Sequence, residues 1–93
     1  MRTPARILIV DDNPINVKVL QTRLAADGYE IFTAADGEAG LEAARQHIPD
    51  LILLDVMMPK VDGFEVCRRL RADADFPFVP IILVTAMADS KDV

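Results

Sequence analysis

The sequence predicts an α/β domain, a parallel sheet with helices on both of its faces. Three observations predict it. The hydrophobic period switches repeatedly between strand-like and helix-like, with a turn signal at each switch. Residues 51–54 are apolar without interruption, as a strand at the centre of a doubly covered sheet must be. Strand–helix alternation of this kind closes into parallel pairs through right-handed crossovers.

The elements follow in order. Residues 6–10 form a short β-branched run ending in Asp11-Asp12-Asn13, the first strand. Pro14 suits the first turn of a helix that Asp12 or Asn13 can cap. Val17, Leu20 and Leu24 recur at helical spacing and predict one buried stripe; Gly28 ends the helix. Residues 30–35 alternate and predict the second strand. Asp36 caps a second helix from Gly37 to about His47, with Ala39, Leu41 and Ala44 facing inward and Pro49 preventing its continuation. Residues 51–55 make the third strand and 56–62 a loop. Asp62 and Glu65 have capping-box spacing for a third helix, about residues 63–73, which buries some combination of Phe64, Val66, Cys67 and Leu70. Residues 81–84 are the fourth strand, and a fourth helix begins near Asp89.

At 93 residues the chain has room for one domain, spanning 1–93. Apolar residues make up 52% and charged residues 27%, a soluble, globular composition. Its apolar runs are far too short to span a bilayer, so no membrane association is expected. The start carries no secretory pattern. Cys67 is the sole cysteine, which excludes an intrachain disulfide and an all-cysteine metal site and suits a reducing cytoplasm. A net charge of −5 argues against a nucleic-acid-binding face.

In an open parallel sheet, sites form outside the carboxyl ends of the strands. Asp11 and Asp12 follow the first strand, Asp55 ends the third and Thr85 follows the fourth. Converging carboxylates repel unless a cation lies among them, and a set of hard oxygen ligands suits Mg²⁺. Taken singly, each has a plainer reading: an acid pair before a helix is often a cap, and Thr85 a turn residue. Capping does not account for Asp55, which ends an apolar strand seven residues before Asp62, the better cap. His47 falls at the wrong end of its helix to join them.

The chain resembles a known family at these residues. Ile7-Leu8-Ile9-Val10-Asp11-Asp12-Asn13, then Leu53-Leu54-Asp55-Val56-Met57-Met58-Pro59 with Asp62-Gly63, then Val84-Thr85-Ala86, are similar in order and spacing to the response-regulator receiver domain. The resemblance implies a doubly wound, flavodoxin-like sheet of strand order 2-1-3-4, with the family's fifth strand and last helix missing from this C-terminally truncated chain. It implies that Asp55 accepts a phosphoryl group from a phosphohistidine on a sensor histidine kinase or histidine phosphotransfer protein. Asp12 would bind Mg²⁺ directly, Asp11 mainly through a metal-bound water, and Met57 through its backbone carbonyl. Thr85, followed by Ala86, would answer the phosphate, while Pro59 and Gly63 shape the adjoining loop. Ile15 falls where the family meets its partner, although an ordinary edge-of-core isoleucine is an equal reading.

The family's phosphate-pairing lysine follows the fifth strand and has no counterpart here; Lys60 and Lys91 do not replace it. Sensing is therefore expected to be impaired, and the apolar fourth strand, left without a neighbour, predicts either homodimerisation through its open edge or a marginally folded chain. Two other functions compete with a phospho-switch. A Mg²⁺-dependent aspartyl-phosphate phosphatase wants its nucleophile on the first strand in an Asp-x-Asp pattern, which Asp11-Asp12-Asn13 does not supply. An association module without phospho-sensing has no use for the acids in a longer parent protein, but truncation keeps that reading open for this chain. The expectation is a signalling domain, not a turnover enzyme, with no direct contact to nucleic acid. The Met57-Met58-Pro59 loop with Gly63-Phe64-Glu65-Val66-Cys67-Arg68-Arg69-Leu70 is similar to receivers attached to nucleotide cyclases.

Overall fold

Strands and helices alternate along the computed structural model, which describes residues 3–84. They are β1 (Arg6–Val10), α1 (Pro14–Ala26), β2 (Glu30–Ala34), α2 (Gly37–His47), β3 (Leu51–Asp55), α3 (Gly63–Ala72) and β4 (Ile81–Val84). The sheet has the order β2-β1-β3-β4. Every pairing is parallel: Val10 lies beside Ala34 on one side and Leu54 on the other, and Asp55 lies beside Val84. β2 stops one residue short of the expected end, the usual uncertainty of an element boundary. The expected fourth helix, with Thr85, Ala86 and Lys91, lies outside the described residues.

Each helix starts on a side-chain cap. Asn13 accepts from the Ile15 and Asn16 N–H groups at 2.9 and 3.4 Å, Asp36 from Ala39 at 2.8 Å, and Asp62 from Glu65 at 2.9 Å. These bonds satisfy N–H groups that have no intrahelical partner. At the other end of α1, Gly28 takes φ 97°, the left-handed turn that lets the chain reverse into β2.

The main core lies on one face of the sheet. Leu8, Val10, Ala34, Ile52 and Leu54 supply its floor, Leu41 and Ala44 of α2 and Val66 and Leu70 of α3 its roof, and Phe76 and Val79 close its rim. Fully burying one such Leu, Ile or Val is worth about 1.5–3 kcal/mol. On the opposite face Ile7 and Ile9 are buried, and α1 lies over β1 and β2.

Two packing expectations need correction. Val17, Leu20 and Leu24 are only half-buried, because α1 covers the β1–β2 side of its face and no second helix flanks it among the described residues. Phe64 is 60% exposed. Val66 and Leu70 set the inward direction of α3, and at about 100° per residue Phe64 points roughly 160° away from Val66, toward solvent. Cys67 takes the flank of the stripe and is half-buried.

α2 and α3 are also tied at the surface, where Arg69 reaches Glu38 at 3.1 Å and Glu65 at 2.8 Å, and Arg45 meets Asp73 at 3.1 Å. The Arg68 and Arg69 guanidinium groups hold the Glu65 carboxyl down to about 2. Exposed pairs of this kind each contribute little to stability. At the opposite end of the sheet from the carboxylates, the His47 ring stacks on Phe32 with centroids 3.9 Å apart. His47 is therefore a packing residue at the closed end of the domain.

Candidate functional site

The β1 and β3 carboxyl ends are adjacent because these strands pair directly. Their acids consequently meet: one carboxylate oxygen from each of Asp11, Asp12 and Asp55 lies within 4.8 Å of the others. Asp11 and Asp55 are buried, 8% and 7% exposed, whereas Asp12 is open to solvent.

Local bonds orient both buried acids. The Asn13 N–H donates to Asp11 Oδ1 at 2.9 Å, which turns the chain from β1 into the α1 cap. The Met57 N–H donates to Asp55 Oδ1 at 3.1 Å. Burial pushes the Asp55 carboxyl above its ordinary range; the Met57 N–H acts the other way, and the charges of Asp11 and then Asp12 raise it further. The site is thus built with more negative charge than its burial favours.

The loop after Asp55 is pinned from both sides. Met58 is buried in the main core while Met57 beside it is exposed. The Gly63 N–H donates to the Val56 carbonyl at 3.1 Å. A Cβ on Gly63 would lie 2.4 Å from the Asp55 carbonyl oxygen, so only glycine lets α3 begin this close to the acid. Pro59 and Lys60 are exposed, and they line a shallow depression with Asp36, Gly37, Glu38 and Val61. Lys60 adopts φ 67°.

Of the residues singled out from sequence, the structure brings together Asp11, Asp12 and Asp55, with Met57 and Gly63 against Asp55. Ile15 stands 71% exposed on the first turn of α1. Thr85 and Ala86 lie outside the described residues. Sequence reasoning did not single out the groove of about 450 Å³ beside the acids, walled by Val17, Lys18 and Gln21 of α1 and floored by Thr33 and Ala34. The three α1 residues share one helical face at three- and four-residue spacing, which was the available signal.

All three carboxylates present oxygen donors, and their mutual repulsion is relieved by a divalent cation; the residues present fit Mg²⁺. A parallel α/β sheet with an acid cluster at the ends of its two central strands defines an open α/β domain with a candidate cation site, and comparison with known proteins supplies its family. The model of the response regulator receiver domain matches residues 7–93, and the chain belongs to this family, the receiver modules of two-component signalling. It is 51% identical over 88 residues to response regulator PleD of Caulobacter vibrioides, and 47% identical over 92 residues to a probable transcriptional regulator, ycf27, of Guillardia theta. The aligned region covers 95% and 99% of this chain but 19% and 35% of those longer relatives.

Among solved structures, the receiver domain of a sensor histidine kinase from Pseudomonas aeruginosa PAO1 is 37% identical with a TM-score of 0.82, covering 94% of this chain and 74% of that one. That structure has a magnesium ion coordinated in its active-site cleft. The N-terminal domain of a response regulator receiver protein from Methanoculleus marisnigri JR1 has the same identity and TM-score, covering 94% and 75%. A receiver is a signalling module and not a classical enzyme. Among the described residues, no helix is long and apolar enough to cross a membrane.

Proposed function

We propose that the chain is one receiver unit, residues 1–93, whose Asp55 accepts a phosphoryl group from a phosphohistidine on a sensor histidine kinase or histidine phosphotransfer protein. The observation that carries this reading is the convergence of three carboxylates within 4.8 Å, with Asp55 buried and oriented by a backbone N–H. An Asp55 carboxylate oxygen attacks phosphorus as the phosphorus–nitrogen bond to the imidazole breaks, leaving an acyl phosphate on the chain and a neutral donor histidine. Asp11, Asp12, Asp55 and the Met57 carbonyl would hold Mg²⁺, and the bound ion would supply charge neutralisation for this transfer.

Asp55 is poorly solvated, and balancing the surrounding negative charge favours its ionised form. Asp11, fixed by the Asn13 N–H, keeps its lone pairs aimed at the shared centre. The product adds about half to one unit of negative charge, with new acceptor oxygens, at a spot walled by Gly63 and the pinned loop. Thr85 supplies the hydroxyl that responds, and its displacement biases the segment beyond β4. Ile15, exposed on the turn after the acid pair, contacts the phosphodonor protein. The setting is cytoplasmic, where kinase and Mg²⁺ are both available.

A second reading applies to association. β4 has no strand on its outer edge among the described residues, and Ile82 on it is half exposed, so homodimerisation through that edge accompanies the switch or replaces it.

The test is a backbone amide NMR titration with Mg²⁺ followed by beryllofluoride, with Asp55→Asn as control. The expected result is shifts around Asp12, Asp55 and Thr85 that vanish in the variant. A well-folded sample that responds to neither would overturn the phosphoacceptor reading and leave association. A response to Mg²⁺ alone would mean that the metal site forms without phosphate capture.

A further inference from the structure

α3 turns Val66 and Leu70 into the core, and its opposite side is not an ordinary solvated face. Phe64, Arg68 and Arg71 follow one another at four- and three-residue spacing, so they share a line along the exposed side of the helix. From Phe64 to Arg71 that line is about 10 Å long at 1.5 Å per residue. The loop after the helix extends it: the Arg71 guanidinium carbon lies 4.7 Å from the centroid of the Phe78 ring. Phe64 is 60% exposed and Phe78 78% exposed.

The three arginines near this face differ in their commitments. Arg69 points toward α2 and is taken by Glu38 and Glu65. Arg68 shares Glu65 and remains 68% exposed. Arg71 has no ion pair among the described residues, and its partner is the face of the Phe78 ring, which leaves its N–H edge free to donate. Two outward rings framing two outward guanidinium groups are the residue types that dominate interface energetics, set here on a rigid helix.

We infer that this α3 stripe, Phe64–Arg68–Arg71 with Phe78, is a docking surface for an acidic amphipathic segment of a partner protein, with carboxylates for the arginines and apolar side chains for the rings. Charge selects that occupant. A second copy joined by two-fold symmetry through this face would bring one arginine stripe against another, positive against positive. A nucleic acid would meet two arginines on a chain of net charge −5, too little positive charge for a polyanion. A segment with acids three residues apart meets both arginines, and the charge of the arginine stripe opposes that of the rest of the chain, which gives the docking its orientation.

The stripe starts at Phe64, one residue after Gly63 beside the Asp55 backbone, but its arginines lie further along α3 and pair with none of the three acids; the Asp55→Asn chain therefore tests docking separately from the phosphoacceptor reading. The probe is a synthetic helical peptide with Glu at i and i+3 flanked by Leu, titrated into the isotope-labelled chain and followed by amide NMR; the same peptide with Gln for Glu is the control. Saturable shifts confined to the surroundings of Phe64, Arg68, Arg71 and Phe78 are expected, with binding weakened about tenfold or more by the Gln peptide or by Arg71→Glu. Phe78→Ser should weaken it as well, and both side chains are exposed, so the variants should keep dispersed spectra; if Phe78→Ser unfolds, Arg71→Glu and the Gln peptide still decide. Shifts that ignore the Glu-to-Gln change, or that fall on Ile15 and Val19 instead, would overturn the inference. So would shifts at the stripe that grow with chain concentration before peptide is added, since these would give the face to a second copy.

Discussion

Asp55 carries a charge that its buried position disfavours, and its dependence on pH is where this should be read. Its carboxyl is raised above the ordinary value of 3.8, by burial first and by Asp11 and Asp12 against the Met57 N–H. Over the interval between the ordinary and the raised value, the folded metal-free chain keeps a proton that the unfolded chain has lost. Stability from the protonated form is therefore complete below the ordinary value and is lost as pH rises through the raised one. With a chelator present, thermal melts should show Tm falling across that interval, and Asp55→Asn should flatten this part of the profile. At neutral pH the variant should be the more stable metal-free protein, seen as a higher Tm than that of the unsubstituted chain. A second residue acts through space. Gly63→Ala places a methyl 2.4 Å from the Asp55 carbonyl oxygen. It should cost about 1–3 kcal/mol in denaturant melts, as overpacking does, and weaken Mg²⁺ binding because Asp55 itself is displaced.

At the scale of elements, α1 is the least anchored helix, since none of its residues is fully buried. Its Asn13 cap consequently carries an unusual share of its stability. Asn13→Ala should cost about 1 kcal/mol, with amide exchange in the first turn of α1 accelerating ahead of that in α2 and α3. How far such features could be read from sequence differs from element to element. The strands were legible because their apolar runs are bounded by Asp or, at the fourth, preceded by Pro80, and the acid site because Asp55 interrupts a pattern that capping cannot explain. Phe64 was not, because α3 spans under three turns and hydrophobicity alone cannot choose between two possible stripes; only Val66 and Leu70, packed on the sheet, make that choice. The half-burial of Val17, Leu20 and Leu24 was hidden for a related reason. Period shows which face of a helix is apolar, not how much sheet lies beneath it. The Met57 N–H bond to Asp55 leaves no mark on residue type at all.

For the whole molecule, the two faces of the sheet are unequally covered. Among the described residues, α2 and α3 cover the core face except near Leu83 on β4, whereas on the other face α1 lies over β1 and β2, and Leu53 and Ile82 continue the apolar floor as register partners on β3 and β4. Apolar area left on a sheet face favours association. In light scattering the chain should gain mass with concentration, and Ile82→Lys should hold it monomeric while leaving the Mg²⁺ response unchanged. A monomer at all concentrations would remove the association reading.

The pairing of β1 with β3 has one further consequence. Asp11 and Asp12 are separated from Asp55 by the whole of α1, β2 and α2, so no local segment contains the cation site and an unfolded chain has none. Cation affinity then becomes a gauge of the folding equilibrium itself. At a hundred times its dissociation constant, a cation that binds only the folded form adds about 2.7 kcal/mol to stability. Any lesion that loosens the β1–β3 seam, however far from the acids, should register first as a weaker apparent metal affinity.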